Sequence, residues 1–274
     1  MGQLLENKNA IVYGASGGIG RGVARTFARH GATVFLAGRT RERLDAVAKD
    51  ITAEGGQAEV AVVDAVDEHA VDEHARSIAE RAGSIDVSVN LISHGDQDAG
   101  GYLQGVPIVE MPVAAFTRPV QTAVLANLLT ARAAARHMVE QGSGVILTLT
   151  NAGSRSGAPL MGSTGVAAAA IETFSRYLAA EVGPQGVRVL GLHIAAVPET
   201  FPQDIHTDVF DDPSRGPGGG MDAAGLEQML AQMTMLRRVT TVANVADVVA
   251  FLASDWAGGM TATILNVTGG MVHD

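Results

Sequence analysis

A glycine-rich turn near the amino end combines residue types and spacing that suit chemistry on a dinucleotide. The turn reads Gly-Ala-Ser-Gly-Gly-Ile-Gly from Gly14 to Gly20, directly after a short apolar run and directly before a helical pattern. Because glycines let the backbone approach a ligand closely, the amides that begin the helix can face an anionic diphosphate. An unoccupied tight turn is the alternative interpretation. We expect the cofactor to contact Gly14, Ser16, Gly17, Gly18 and Ile19.

The end of the second predicted strand is where a dinucleotide site distinguishes NAD(H) from NADP(H). This chain has Gly38-Arg39-Thr40-Arg41 there, so a guanidinium rather than an acid is expected beside the adenosine ribose. A guanidinium pairs with phosphate through two hydrogen bonds, whereas a carboxylate would repel it. We therefore expect Arg39 and Thr40 to favour NADP(H) over NAD(H). The alternative is that Arg39 is a solvent-exposed residue at a helix start that carries charges of both signs.

Few titratable side chains follow the strands that would surround the reactive end of the cofactor. His94 comes soon after the fourth strand and could donate or accept a proton near neutral pH, with Asp96 as an orienting partner. Tyr102 lies in the same predicted loop, but nothing in the sequence lowers its pKa. His193 and Glu199 could form an acid–base pair after the sixth strand, although a histidine within a strand is more often a satisfied core group.

Composition limits the classes of function. The chain has 274 residues, of which 47% are hydrophobic, and its net charge is −10. This size suits one α/β domain over residues 1–274, and the acidic balance disfavours nucleic acid or an anionic membrane as a partner. A small-molecule substrate is therefore expected. The absence of cysteine excludes thiol chemistry, and no spacing of His, Asp and Glu indicates a metal site. The polar amino end predicts no signal peptide, and hence a cytoplasmic protein.

Strand and helix patterns alternate along the chain, which predicts a three-layer, doubly wound Rossmann fold. Right-handed crossovers favour a seven-stranded parallel sheet in the order 3-2-1-4-5-6-7. Two loop-rich segments interrupt the rhythm, and residues 198–222 form either a substrate lid or a surface excursion. The predicted strands are Asn9–Tyr13, Thr33–Ala37, Glu59–Val63, Val87–Leu91, Val145–Leu149, Val187–His193 and Thr263–Val267. The predicted helices are Gly22–His30, Arg41–Glu54, Val71–Arg81, Phe116–Gln141, Val166–Val182 and Val242–Ala253.

Over nearly its whole length the chain resembles the short-chain dehydrogenase/reductase family. Besides the glycine turn, Val62-Val63-Asp64 is similar to the family's adenine-contacting acid, and the run from Leu265 to Gly270 is similar to its closing strand. The resemblance implies reduction of carbonyls or oxidation of alcohols with a nicotinamide cofactor. It also implies a homodimer or homotetramer built on the two long helices. Further cofactor contacts are expected at Asp64, Ala65, Asn90 and Ile92.

The resemblance fails at the residues that move a proton. The family uses a tyrosine for proton exchange, a lysine that lowers the pKa of that tyrosine, a serine that holds the substrate oxygen, and an asparagine in a relay. Alignment places Asn151 at the serine, Thr164 at the tyrosine, Ala168 at the lysine and Ala123 at the asparagine. A threonine hydroxyl is not acidic near neutral pH, so the usual proton transfer cannot run. The candidate catalytic residues are His94, Asn151, whose amide can still hold an oxyanion, and Thr164.

Three functions fit these observations. The first is an NADP(H)-dependent oxidoreductase for a small carbonyl, alcohol or related unsaturated compound, with a nonstandard source of the proton. The second is an inactive NADP(H)-binding sensor or scaffold, which the missing catalytic groups support. The third is a lyase or isomerase without redox change, since one fold hosts many reactions.

Overall fold

Seven parallel strands form one sheet in the order β3-β2-β1-β4-β5-β6-β7, as the sequence predicts. The computed structural model describes residues 3–92, 107–156, 162–201 and 222–273. In register, Tyr13 lies opposite both Ala37 and Asn90, and Asn151 lies opposite Ile194. The strands are β1 (Asn9–Tyr13), β2 (Thr33–Gly38), β3 (Gln57–Val62), β4 (Val87–Asn90), β5 (Gly144–Asn151), β6 (Val187–Ile194) and β7 (Ile264–Val267).

Helices cover both faces of the sheet, and alternate residues of β1 show this directly. Val12 packs into a core with residues of α1, α2 and α8, whereas Ile11 and Tyr13 pack into a core with α3, α4 and α6. Burial on both faces explains why the strands are apolar without alternation. The helices are α1 (Gly18–Arg29), α2 (Arg41–Ala53), α3 (Glu68–Ala82), α4 (Val113–Gln141), α5 (Gly153–Ser156), α6 (Gly162–Val182), α7 (Ala223–Gln232) and α8 (Val242–Ala253).

Several helices begin earlier than the hydrophobic periodicity predicts. Helix α1 begins at Gly18 and α6 at Gly162, because glycines and small polar residues at a helix start carry no periodic signal. Helix α7 was not predicted, since it lies next to the loop-like run of residues. It begins at the cap residue Asp222, whose carboxylate accepts a hydrogen bond from the amide of Gly225 at 2.8 Å.

The carboxyl ends of β1, β4, β5 and β6 meet at one edge of the sheet, because neighbouring strands run in parallel. This edge is where open α/β sheets bind their ligands. The segments that follow β4 and β6 lie mostly outside the described residues, so the predicted lid is described only at positions 198–201 and 222. Within the described ranges, no helix combines the length and apolarity that crossing a membrane requires.

Candidate functional site

The turn after β1 requires glycine at two positions. Gly14 has a φ of +77°, and a Cβ atom there would lie 2.8 Å from the carbonyl oxygen of Leu91. A Cβ at Gly20 would lie 2.1 Å from the carbonyl oxygen of Gly14. The amide of Gly17 also donates to that oxygen at 3.1 Å, which closes the turn. Larger side chains would therefore force the turn open.

The amino end of α1 is left open toward a ligand. Its cap residue is Gly17 in an extended conformation, no side chain of the described residues caps it, and its first turn holds no acid. The first amides, including those of Gly18 and Ile19, can therefore face an anion. Thr200 forms a wall beside them, since a Cβ at Gly18 would lie 2.8 Å from the Cβ of Thr200. The cradle thus fits a diphosphate bounded by the segment after β6.

The residues expected to contact the adenosine part surround the ends of β2 and β3. Arg39 and Thr40 are exposed directly after β2, and a Cβ at Gly38 would lie 3.7 Å from the hydroxyl oxygen of Ser16. The Asp64 carboxylate is exposed and accepts a hydrogen bond from the amide of Val66 at 3.2 Å. The large apolar side chains on either side of Asp64 are also exposed, Val62 by 56% and Val66 by 37%. Ala65 is buried between them.

Asn90 at the end of β4 is committed to internal hydrogen bonds. Its side chain is 5% exposed and donates to the hydroxyl of Thr130 at 2.9 Å. Its amide oxygen accepts from the backbone of Ile92 at 3.0 Å. The two hydrogen bonds fix the orientation of the Asn90 side chain. His94, Asp96 and Tyr102 lie outside the described residues.

Asn151 is the last residue of β5, and its side-chain oxygen is occupied. That oxygen accepts a hydrogen bond from the amide of Gly153 at 2.8 Å. Because an amide N–H needs an acceptor, this contact distinguishes the side-chain oxygen from the nitrogen, and the NH₂ group is the remaining polar group of the side chain. Thr164 and Ala168 lie on α6 with exposures of 3% and 0%. Their spacing of four residues places them on one stripe of the helix, and Glu172 continues that stripe. The stripe carries a carboxylate but no phenol or ammonium group.

A polar cluster around the buried side chain of Glu172, which we call the Glu172 cluster, also contains the buried Thr150 and His193. The half-buried Ser154 and the exposed Arg155 complete it. Its central residue is 4% exposed and accepts a hydrogen bond from the hydroxyl of Ser154 at 2.5 Å. Thr150 donates to the same carboxylate at 3.3 Å. Neither Ser154 nor Glu172 is predicted from the sequence. The available signal was a charged residue, Glu172, eight residues after Thr164 on the same stripe of the helix.

The suggested pair of His193 and Glu199 is wrong. His193 is completely buried, with Nδ1 4.0 Å from a carboxylate oxygen of Glu172. Glu199 instead accepts a hydrogen bond from the amide of Val242, which begins α8. The two residues lie close in sequence, but β6 carries the histidine into the core before the chain reaches the surface at Glu199.

A partly buried pair of side chains supports the strand that leads into the cradle. The hydroxyl of Tyr13 lies 3.5 Å from Nδ1 of His74, and the two rings meet edge to face with centroids 5.8 Å apart. Burial, with a smaller contribution from the charge of Arg81, lowers the pKa of His74 to about 4. Burial and the charge of Asp72 raise the pKa of Tyr13 above its usual range. Both side chains are therefore neutral near pH 7.

Two further features complete the description of the site. The carbonyl of Ala123, at the position predicted for the relay asparagine, accepts a hydrogen bond from the side chain of Asn127 at 2.9 Å.

In the part of the chain that the structure describes, no group of three His, Asp or Glu side chains could hold a metal ion.

Comparison with known proteins finds similarity along nearly the whole chain. A family model described as "Enoyl-(Acyl carrier protein) reductase" matches residues 14–272. The 7alpha-hydroxysteroid dehydrogenase of Escherichia coli (strain K12) is 29% identical over 270 residues, which cover 98% of this chain and 96% of that protein. The L-rhamnose 1-dehydrogenase (NAD(P)(+)) of Azotobacter vinelandii is 30% identical over 273 residues, which cover 98% of each chain. A solved 7α-hydroxysteroid dehydrogenase, complexed with NADH and 7-oxo glycochenodeoxycholic acid, has a TM-score of 0.79 at 28% identity and covers 98% of this chain and 96% of its own.

Proposed function

Because the chain belongs to the short-chain dehydrogenase/reductase family, we propose that it is an NADP(H)-dependent oxidoreductase acting on a small carbonyl, alcohol or related unsaturated compound. The observation that carries the proposal is the open cradle formed by the turn after β1 and the uncapped start of α1. This geometry suits a diphosphate. The relatives named above are dehydrogenases, and the matching family model describes a reductase.

The preference for NADP(H) rests on Arg39. Its exposed guanidinium follows β2, where it can pair with a 2′-phosphate, and Thr40 and the hydroxyl of Ser16 add neutral donors nearby. The similar hydroxysteroid dehydrogenase was solved with NADH, so family membership alone does not supply this preference.

The substrate oxygen is proposed to bind the side-chain amide of Asn151. Because the oxygen of that amide already accepts from Gly153, its NH₂ group is the part that can donate to a carbonyl. The hydroxyl of Thr164 is the second neutral donor in the proposal. His94, oriented by Asp96, gives the proton, since neither Asn151 nor Thr164 can ionise near neutral pH. NADPH, when bound, supplies the hydride.

A sensor or scaffold without turnover is the second candidate, and the stripe on α6 favours it. Thr164 and Ala168 are buried and carry no group that titrates near neutral pH. Such a protein would bind the dinucleotide as tightly as the enzyme would, so binding alone does not separate the two candidates.

Fluorescence titration tests the cofactor. We expect Arg39→Asp to weaken NADPH binding roughly tenfold to a hundredfold, since charge-assisted hydrogen bonds contribute about 1.5–3 kcal/mol. NADH binding should change far less. Arg43→Asp, in the first turn of α2 four residues later, is the matched control for net charge. Equal losses for both cofactors would contradict the role of Arg39.

Transfer of deuterium from NADPD tests turnover. Label should reach at least one member of a panel of carbonyls, imines and enones, and His94→Ala should lower the rate. Tight NADPH binding without transfer to any compound favours the sensor. Restoring serine, tyrosine and lysine with Asn151→Ser, Thr164→Tyr and Ala168→Lys should create ordinary ketone reduction if only those groups are missing.

We also propose a homodimer or homotetramer. Large apolar side chains are exposed on the two long helices, with Leu125 at 41% on α4, and Val166 at 46% and Tyr177 at 70% on α6. Exposed apolar surface of this kind is typical of an interface. Light scattering after size exclusion should give twice or four times the monomer mass, and a monomer would refute the proposal.

A further inference from the structure

Glu172 is a carboxylate in a layer where an unpaired charge would be costly. Its side chain extends from α6 toward the carboxyl ends of β5 and β6, and the residue is 4% exposed. Burial of an ionised carboxylate is tolerated only where hydrogen bonds or opposite charges replace its water. The partners of this carboxylate therefore indicate what it holds in place.

Those partners lie on both sides of Asn151 in the sequence. One carboxylate oxygen accepts from Ser154 at 2.5 Å and from Thr150 at 3.3 Å. The other lies 3.6 Å from Nε of Arg155. A single side chain of α6 thus ties down the end of β5 and the short helix α5 that follows it.

The backbone between these attachments has little freedom. The amide of Gly153 donates to the side-chain oxygen of Asn151, and a Cβ at Gly165 would lie 2.9 Å from the carbonyl oxygen of Gly153. The start of α5 is therefore pressed against the start of α6 on one side and hydrogen-bonded to Glu172 on the other. The side-chain oxygen of Asn151 is fixed within this arrangement.

We propose that Glu172 is a positioning residue that sets the direction of the Asn151 amide. The inference rests on the proposed function, in which that amide binds the substrate oxygen. Glu172 acts on this amide through α5. Its carboxylate accepts a hydrogen bond from Ser154, which fixes α5, and Gly153 at the start of α5 donates to the side-chain oxygen of Asn151. The NH₂ group of Asn151 then has one fixed orientation as a donor.

Two variants separate positioning from simple filling of the interior. Glu172→Gln keeps an oxygen that can accept from Ser154 and Thr150. Glu172→Leu fills a similar volume without an acceptor, and buried ionic groups can often be replaced in this way without loss of stability. A purely structural role therefore predicts two folded variants with an unchanged Asn151. Ser154→Ala breaks the 2.5 Å link without altering α6, and Ser175→Ala, which loses a 2.9 Å hydrogen bond to Thr148 in the same layer, is its control.

Nuclear magnetic resonance of protein labelled with [¹⁵N]asparagine reads the result directly. The Asn151 side-chain signals are assigned from Asn151→Asp, and those of Asn266, which donates to the carbonyl of Val272 at 2.7 Å, serve as the internal reference. We expect Glu172→Leu and Ser154→Ala to move the Asn151 signals. In uniformly ¹⁵N-labelled protein, both variants should also speed hydrogen exchange of the Gly153 amide about tenfold. Glu172→Gln and Ser175→Ala should leave both unchanged.

Unmoved Asn151 signals in a folded Glu172→Leu or Ser154→Ala protein would overturn the proposal. Should Glu172→Leu fail to fold, Ser154→Ala decides alone. Neither measurement needs a substrate, so failure of NADPH binding or label transfer would refute the proposed function without affecting this result. Where label transfer is found, Glu172→Leu should lower kcat roughly tenfold to a hundredfold while NADPH affinity stays within about twofold.

Discussion

Replacing His74 with phenylalanine tests whether the strand that carries the glycine turn depends on a neutral histidine. His74 on α3 meets Tyr13, the last residue of β1, edge to face, and Gly14 follows directly. Phenylalanine preserves an aromatic ring at this contact but cannot take up a proton. The substitution therefore removes the titration and keeps most of the packing.

The sign and size of the effect follow from the pKa of His74. Burial lowers that pKa from 6.5 to about 4, so the folded protein binds the proton less readily than the unfolded chain. Stability supplied by the neutral histidine is complete above the unfolded value and is lost as the pH falls from 6.5 toward 4. Each pKa unit corresponds to about 1.4 kcal/mol, so about 2 kcal/mol should be lost between pH 7 and pH 4.5.

Urea unfolding at the two pH values provides the measurement. Wild type should lose about 2 kcal/mol more than His74→Phe between pH 7 and pH 4.5, after the carboxylate titrations common to both proteins cancel. His69→Phe, at an exposed histidine of the same helix, is the control for replacing a histidine of α3 with phenylalanine and should lose as much stability as wild type. Equal losses in wild type and His74→Phe would refute the assignment of a low pKa to His74.

Three substitutions test other close contacts. Gly18→Ala should weaken NADPH binding about tenfold, because the new methyl group clashes with Thr200. Adding Thr200→Gly should recover most of the affinity. If affinity is not recovered, the clash with Thr200 does not cause the loss. Gly165→Ala should destabilise by about 1–3 kcal/mol in thermal unfolding, although alanine normally favours a helix, whereas Gly183→Ala, with open space around it, should be neutral. Arg188→Met removes the donors to three backbone carbonyls and should cost about 3 kcal/mol in urea unfolding; a loss under about 1 kcal/mol would show that water replaces them.

The sequence alone predicts the sheet order because strands buried on both faces and amphipathic helices alternate strictly, which leaves few topologies. Element ends were less predictable. Strand β5 reaches Asn151 rather than Leu149, since the polar residues at its end lack the apolar signature of a strand. Those residues are polar because Thr150 faces a carboxylate rather than an apolar neighbour, and that contact exists only once α6 has packed on the sheet.

The glycine turn was predictable from sequence because its residues are contiguous and local geometry dictates them, as at Gly14 and Gly20. The Glu172 cluster depends on contacts between distant segments. Ser154 and Glu172 are 18 residues apart, and His193 meets Glu172 only once α6 has packed on β6. Proximity in sequence suggested Glu199 as the partner of His193 instead, and the fold separates those two residues.

The anchoring of the chain on either side of residues 202–221 has a consequence for engineering. On one side Thr200 abuts the cradle and Glu199 caps α8; on the other Asp222 starts α7 with its own cap. Both ends are thus tethered by their own local bonds. Exchanging the intervening stretch for one of different length should therefore leave the fold and the NADPH affinity unchanged, which makes these two tether points natural junctions for chimeras.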